Sequence, residues 1–340
     1  MTTTTPASAA VSGRFTRPAP GLRRWLRAGR SRRLRGAVFE PIGHGRVALL
    51  RLAIYGFTIA DLFWVVNDVF GHADAPASLY RPVRLREWLH LPVPFHNYVH
   101  ILRWVIIIGC LLCASGRLPR RIGVLTGYVV AAAFTDWVSI GMSYSKIDHD
   151  HFALIVALWV LPSVGVARFG ERARSEAAGW ALLCIQIGCV ATYFLSALAK
   201  FRYGGLDWPT GSTFAWAMTR RGTGLGRAML SPPWILTVSQ FLIISVELIS
   251  PLLLVLRGRA RYLFVVGLWG FHLSTYLTLK IHFLPLVFCL LAFLPLEQIL
   301  PLDQLLARCH PGAGRGGLRR YRWGTLTSSG PAAGKPSARN

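Results

Sequence analysis

Eight apolar runs punctuate the middle of this 340-residue chain, and several reach the roughly 17–25 residues that cross a bilayer as a helix. Runs of that length constrain the fold more than any other feature, because in hydrocarbon a helix satisfies every backbone hydrogen bond within itself. Bounded by charged residues, they fall at about 47–66, 98–115, 121–141, 151–167, 177–200, 234–256, 261–279 and 282–299. Only 15% of residues are charged, against roughly 25% in soluble domains. The expectation is an all-α, polytopic integral membrane bundle of about eight transmembrane helices.

Charge fixes the expected orientation. The formal net charge is +24, which in a soluble protein would point to nucleic acid. Here much of it lies in two tails and three short links: Arg117, Arg120 and Arg121, then Arg168, Arg172 and Arg174, then Arg257, Arg259 and Arg261. These all fall on one side of the membrane, which the positive-inside rule makes cytoplasmic, with both termini. No nucleic-acid partner is expected. Residues 1–44 and 301–340 read as disordered basic cytoplasmic tails flanking a transmembrane domain at 45–300. Connections 67–97 and 201–233 then face outward. Cys110 and Cys113 form a C-x-x-C, but within "VIIIGCLLCAS" they read as buried packing residues, without the electropositive setting that activates a thiolate.

Polar residues recur inside these apolar runs at helical period, so each helix turns one polar face inward. Arg51, Tyr55, Thr58 and Asp61 form one such stripe, Gln186, Tyr193 and Lys200 a second, and Gln240, Glu247 and Ser250 a third. His272 precedes Tyr276 by one turn, and Asp136 shares a run with Ser139 and Ser143. At about 1.5 Å rise per residue, Asp61, Asp136, Asp150, His151, Lys200 and His272 lie in the outer half of the membrane or near its middle. That collection predicts an outward-facing chamber. Arg51 and Glu247 lie nearer the inner half and are expected to pair; with Gln186 and Gln240 they read as interior structural groups. His149-Asp150-His151 lacks a third ligand at metal spacing, so no metal is expected. Asp148 and Asp150 suit a helix start. Lys146, Lys200 and Lys280 fall at outer helix ends, where lysines commonly reach for the head groups.

Only four of the 38 Lys+Arg residues are lysine, and one ends the run "YFLSALAK" before "FRYGGLDWPTG". A neutral amine can serve as a general base, whereas arginine effectively cannot. Residues in this region resemble a known family. "LLRLAIYGFTIADLFW" resembles the F-R-x-x-x-G-x-x-x-x-x-D pattern of the vitamin K-dependent gamma-carboxylase superfamily, whose bacterial membrane part is the horizontally transferred transmembrane (HTTM) domain. "DHDHFALIVALWVLP" is similar to its [ND]-H-x-x-L helix start, and "YFLSALAKFRYGGLDWPTGSTFAWAM" to its Y-F-x-[SA]-G-x-x-K-L…D-W-x-x-G segment. "VELISPLLL" and "FHLSTYLTLKIHFLPLVFCLLAFLP" resemble its last helices, so the likeness runs over about 45–298.

The resemblance implies that Lys200 deprotonates a vitamin K-like hydroquinone, with His151 and His272 in the same chamber. Tyr193, Asp207, Trp208 and Tyr276 are the expected cofactor contacts, while Arg51, Asp61, Asp136 and Glu247 are read as the polar interior from their places in the stripes. Ala199 departs from the lysine doublet of the animal carboxylases, and no large lumenal domain follows residue 300. The expectation is therefore oxidation or oxygenation of a quinol-type lipid rather than glutamate carboxylation, in a bacterial inner membrane. The alternative is a non-enzymatic membrane protein for maturation, export or immunity of a secreted peptide, which would dock on 67–97 and 201–233. A transporter ranks last, because no inverted repeat or broken helix pair is visible. The lipid bilayer is the partner common to all three.

Overall fold

The computed structural model describes residues 40–65, 68–144 and 147–299. The C-terminal tail, most of the N-terminal tail and Lys146 lie outside them. A short antiparallel pair, β1 (Ile42–Gly43) with β2 (Arg174–Ser175), ties the entry of the first helix to that of a later one, with Ile42 opposite Ser175. The helices follow in order: α1 (His44–Trp64), α2 (Val69–Asp74), α3 (Arg84–Trp88), α4 (His96–Ser115), α5 (Arg120–Met142), α6 (His151–Val160) and α7 (Glu176–Gly204). After these come α8 (Thr213–Arg221), α9 (Gly224–Ala228), α10 (Pro233–Ile249), α11 (Leu252–Val255), α12 (Gly258–Leu279), α13 (Leu284–Cys289) and α14 (Leu296–Ile299).

A helix forms at every one of the eight apolar runs. Five of them, α1, α4, α5, α7 and α12, are long and apolar enough to cross a membrane. The other three apolar helices are shorter, His151–Val164, Pro233–Ile249 and Leu284–Phe293, each for a local reason. The expected 151–167 helix tightens at Leu161–Val164 and stops at Gly165, whose φ of +74° favours glycine. The expected 234–256 helix breaks at Pro251, which has no N–H to continue the ladder. Pro285 and Pro295 bound the last one, where 282–299 was expected to be continuous.

Helix α7 runs 29 residues, or about 44 Å, so it outreaches a hydrocarbon core of about 30 Å. The Ser175 hydroxyl caps its start by accepting from the Ala178 N–H at 3.2 Å. Asp150 does not cap α6 as expected; its carboxylate turns to the His151 ring instead, 3.3 Å from Nδ1. Close packing joins α4 to α5, where Gly109 leaves room for Val130; a Cβ there would stand 2.4 Å from the valine methyl. Buried side chains of α1, α4, α5, α6 and α7 form one continuous core.

Both long connections are folded and anchored. Arg86 on α3 is 1% exposed and donates to the Tyr80 hydroxyl at 2.8 Å, Ser139 Oγ at 3.1 Å and the Pro92 carbonyl at 2.7 Å. It also binds the Asp136 carboxylate, which the Tyr98 hydroxyl contacts as well. In the later connection, Gln240 donates to the carbonyls of Pro209 and Gly211 at 2.8 and 3.0 Å and accepts from the Phe214 N–H at 3.1 Å.

Candidate functional site

A polar stripe on one helix builds the site. Thr192, Tyr193, Ser196 and Lys200 share a face of α7, and that face meets Glu247 of α10 and His272 of α12. Between them lies a half-open cavity of about 130 Å³, lined also by His149, Phe271, Phe283 and Leu286. The Lys200 Nζ donates to both Glu247 oxygens, at 2.8 and 2.7 Å, and to Ser196 Oγ at 2.7 Å. Ser196 in turn reaches Glu247 Oε1 at 3.3 Å. Across the cavity the Tyr193 hydroxyl lies 2.6 Å from His272 Nε2, and the buried His272 Nδ1 has no partner among the described residues. Aromatic rings pack around the imidazole, with Phe271 and Phe283 centred 5.0 and 5.2 Å away.

Four of the expected site residues therefore meet: Lys200, Tyr193 and His272, with Glu247, which was expected to pair with Arg51. The remainder are distributed differently. His151 and Asp61 are both fully buried, 3.1 Å apart, and His149 lines the cavity rather than His151. The first turn of α6 accounts for this, since it directs His151 toward Asp61 on α1. Asp136 belongs to the Arg86 anchor described above. The Trp208 ring centroid lies 5.6 Å from Lys200 Nζ, outside the cavity wall. The Asp207 carbonyl accepts from the Thr210 hydroxyl in the turn after α7, and half-exposed Tyr276 does not line the cavity.

The expected Arg51–Glu247 pair does not form. Arg51 spends its donors on the carbonyls of Gly165 and Leu161, at 2.7 and 2.5 Å, while Glu247 belongs to Lys200. Gln186 does make an interhelical bond, to the Ala292 carbonyl at 2.9 Å. Glu247, Ser196 and His149 are the site residues that sequence reasoning placed elsewhere or passed over. Ser196 carried a signal, because it precedes Lys200 by four residues and so shares its face.

The arrangement sets an amine–carboxylate pair against a hydrogen-bonded tyrosine–histidine pair, across a small aromatic-walled space. Among the described residues no three His, Cys, Asp or Glu side chains form a metal-binding group. No family model, curated protein or solved structure matches the chain.

Proposed function

We propose that this is a bundle crossing a bacterial inner membrane eight times, akin to the HTTM domain of the vitamin K-dependent gamma-carboxylase superfamily, and that it oxidises or oxygenates a quinol-type lipid. The observation that carries the reading is the cavity itself, which gathers Lys200, Glu247, Tyr193 and His272 around one space. Apolar cavities of about 150 Å³ hold a benzene ring, so about 130 Å³ suits one ring of a quinol head group. Its isoprenoid tail then leaves toward the lipid.

The proton bookkeeping uses groups already in contact. In the ion pair, Nζ carries the proton; passing it to a Glu247 oxygen at 2.7–2.8 Å leaves a neutral amine. That amine removes the first hydroxyl proton of the quinol, and His272 Nδ1, buried without a partner among the described residues, would hydrogen-bond the second ring oxygen. Loss of two protons and two electrons yields the quinone, with dioxygen as the proposed two-electron acceptor, reduced to hydrogen peroxide. Addition of dioxygen to the quinol anion is the oxygenating variant. Lipids co-extracted with the purified protein, identified by mass spectrometry, test the reading: a stoichiometric quinone is expected, and a preparation that neither retains nor turns over any quinol contradicts it.

A second reading has its own support. Tyr203, Leu206 and Trp216 in the 201–233 connection are 82%, 84% and 65% exposed. In a non-enzymatic protein this surface would dock a secreted peptide. Replacing those three residues would then abolish function, whereas cavity substitutions that preserve folding would leave it intact.

A further inference from the structure

A second pocket lies at the opposite end of α1's polar stripe from Asp61, where α1, α4 and α5 meet the turn after α6. Its volume is about 40 Å³, and Arg51, Tyr55, Leu112, Arg120, Gly123 and Gly165 are among its lining. Two guanidinium groups converge on one glycine there. Arg51 Nη1 donates to the Gly165 carbonyl at 2.7 Å, and a Cβ on Gly165 would stand 3.1 Å from Arg120 Nε. The positive φ of +74° keeps this position glycine, so the close approach is built into the turn.

Arg51 also donates to the Leu161 carbonyl, at 2.5 Å. Among the described residues no carboxylate pairs with Arg51 or Arg120, and the buried Arg51 Nε has no partner. Arg120 is exposed and Arg51 half-buried, so solvent screens their mutual repulsion in part, and an anion seated between them gains from both charges. The first turn of α5 adds to the field: it lines the pocket through Arg120 and Gly123 and has no side-chain cap. One water needs roughly 10–15 Å³ measured this way, so about 40 Å³ admits a tetrahedral oxyanion while the rest of a head group stays outside. The neighbouring faces suit acyl chains, because Ile108 and Leu111 on α4 and Ile122 and Leu125 on α5 are exposed.

We propose that this pocket binds a phosphate group, presented by an anionic phospholipid at the membrane surface or supplied free in solution. It is independent of the Lys200 cavity and of any reaction there. The test uses the full-length protein in detergent, following its thermal melting as ligand is added. The ligands are phosphatidylglycerol, diacylglycerol of the same chain length, and inorganic phosphate. Phosphatidylglycerol should raise Tm saturably and diacylglycerol should not. Arg120→Gln removes no side-chain hydrogen bond among the described residues and should weaken the response roughly ten- to hundredfold, as loss of a charge-assisted bond does. Exposed Arg117, outside the lining, serves as control, and Arg117→Gln should leave the response unchanged. A response to inorganic phosphate alone, still lost in Arg120→Gln, keeps the site and assigns it the free anion. Equal responses to phosphatidylglycerol and diacylglycerol with none to inorganic phosphate, or an Arg120→Gln response like wild type, would overturn the proposal.

Discussion

Lys200 is held by Glu247 on a facing helix, and Glu247 is almost wholly buried. Breaking such a pair strands a charge, whereas replacing both partners by apolar residues of similar size is commonly tolerated. Lys200→Met alone should therefore cost about 3 kcal/mol, and Lys200→Met with Glu247→Leu should recover most of that loss. Denaturant unfolding in detergent reads the difference; additive losses in the double variant would mean that the two residues do not act as a pair. Cys110 and Cys113 have a simpler expected role. Both are free thiols, Cys110 fully buried and Cys113 half-buried on α4. Replacing both with alanine should leave quinol turnover unchanged, and a folded but inactive double variant would require a redox role instead.

At the scale of elements, apolar periodicity located every long helix to within a few residues, because length and hydrophobicity alone define such a run. Proline and glycine near the ends set what it did not show: Pro251 splits one helix, and Gly165 cuts another short. For the site, the stripe on α7 was legible because Tyr193 and Lys200 recur at heptad spacing. Its partner was not, since depth counting put Glu247 beside Arg51 and took no account of the break at Pro251. Arg86 left no signal at all: a basic residue in a long connection reads as solvated, yet this one is buried among Tyr80, Ser139, Asp136 and Pro92. Arg86→Met should consequently strand the Asp136 carboxylate and loosen the segment between α2 and α4, at a cost of about 3–5 kcal/mol. Limited proteolysis checks this, with accelerated cutting expected in residues 76–95 and wild-type protection arguing against the anchor.

For the whole molecule, the three arginine-rich links predict that residues 201–233 face away from the cytoplasm and that the Lys200 cavity opens outward. A single cysteine at Ser212 in a cysteine-free background should react with an impermeant reagent in intact cells. Labelling only after permeabilisation would invert the topology. On the proposed function Lys200 works by giving and taking a proton rather than by carrying charge, and Lys200→Arg separates the two. Arginine keeps a cation opposite Glu247, so the variant should fold and melt close to wild type in nanodiscs. Arginine effectively cannot become a neutral base, so turnover of a single-ring quinol should fall by about 10²–10⁴, the usual span of general-base catalysis. A folded Lys200→Arg protein that oxidises the quinol at the wild-type rate would contradict the account.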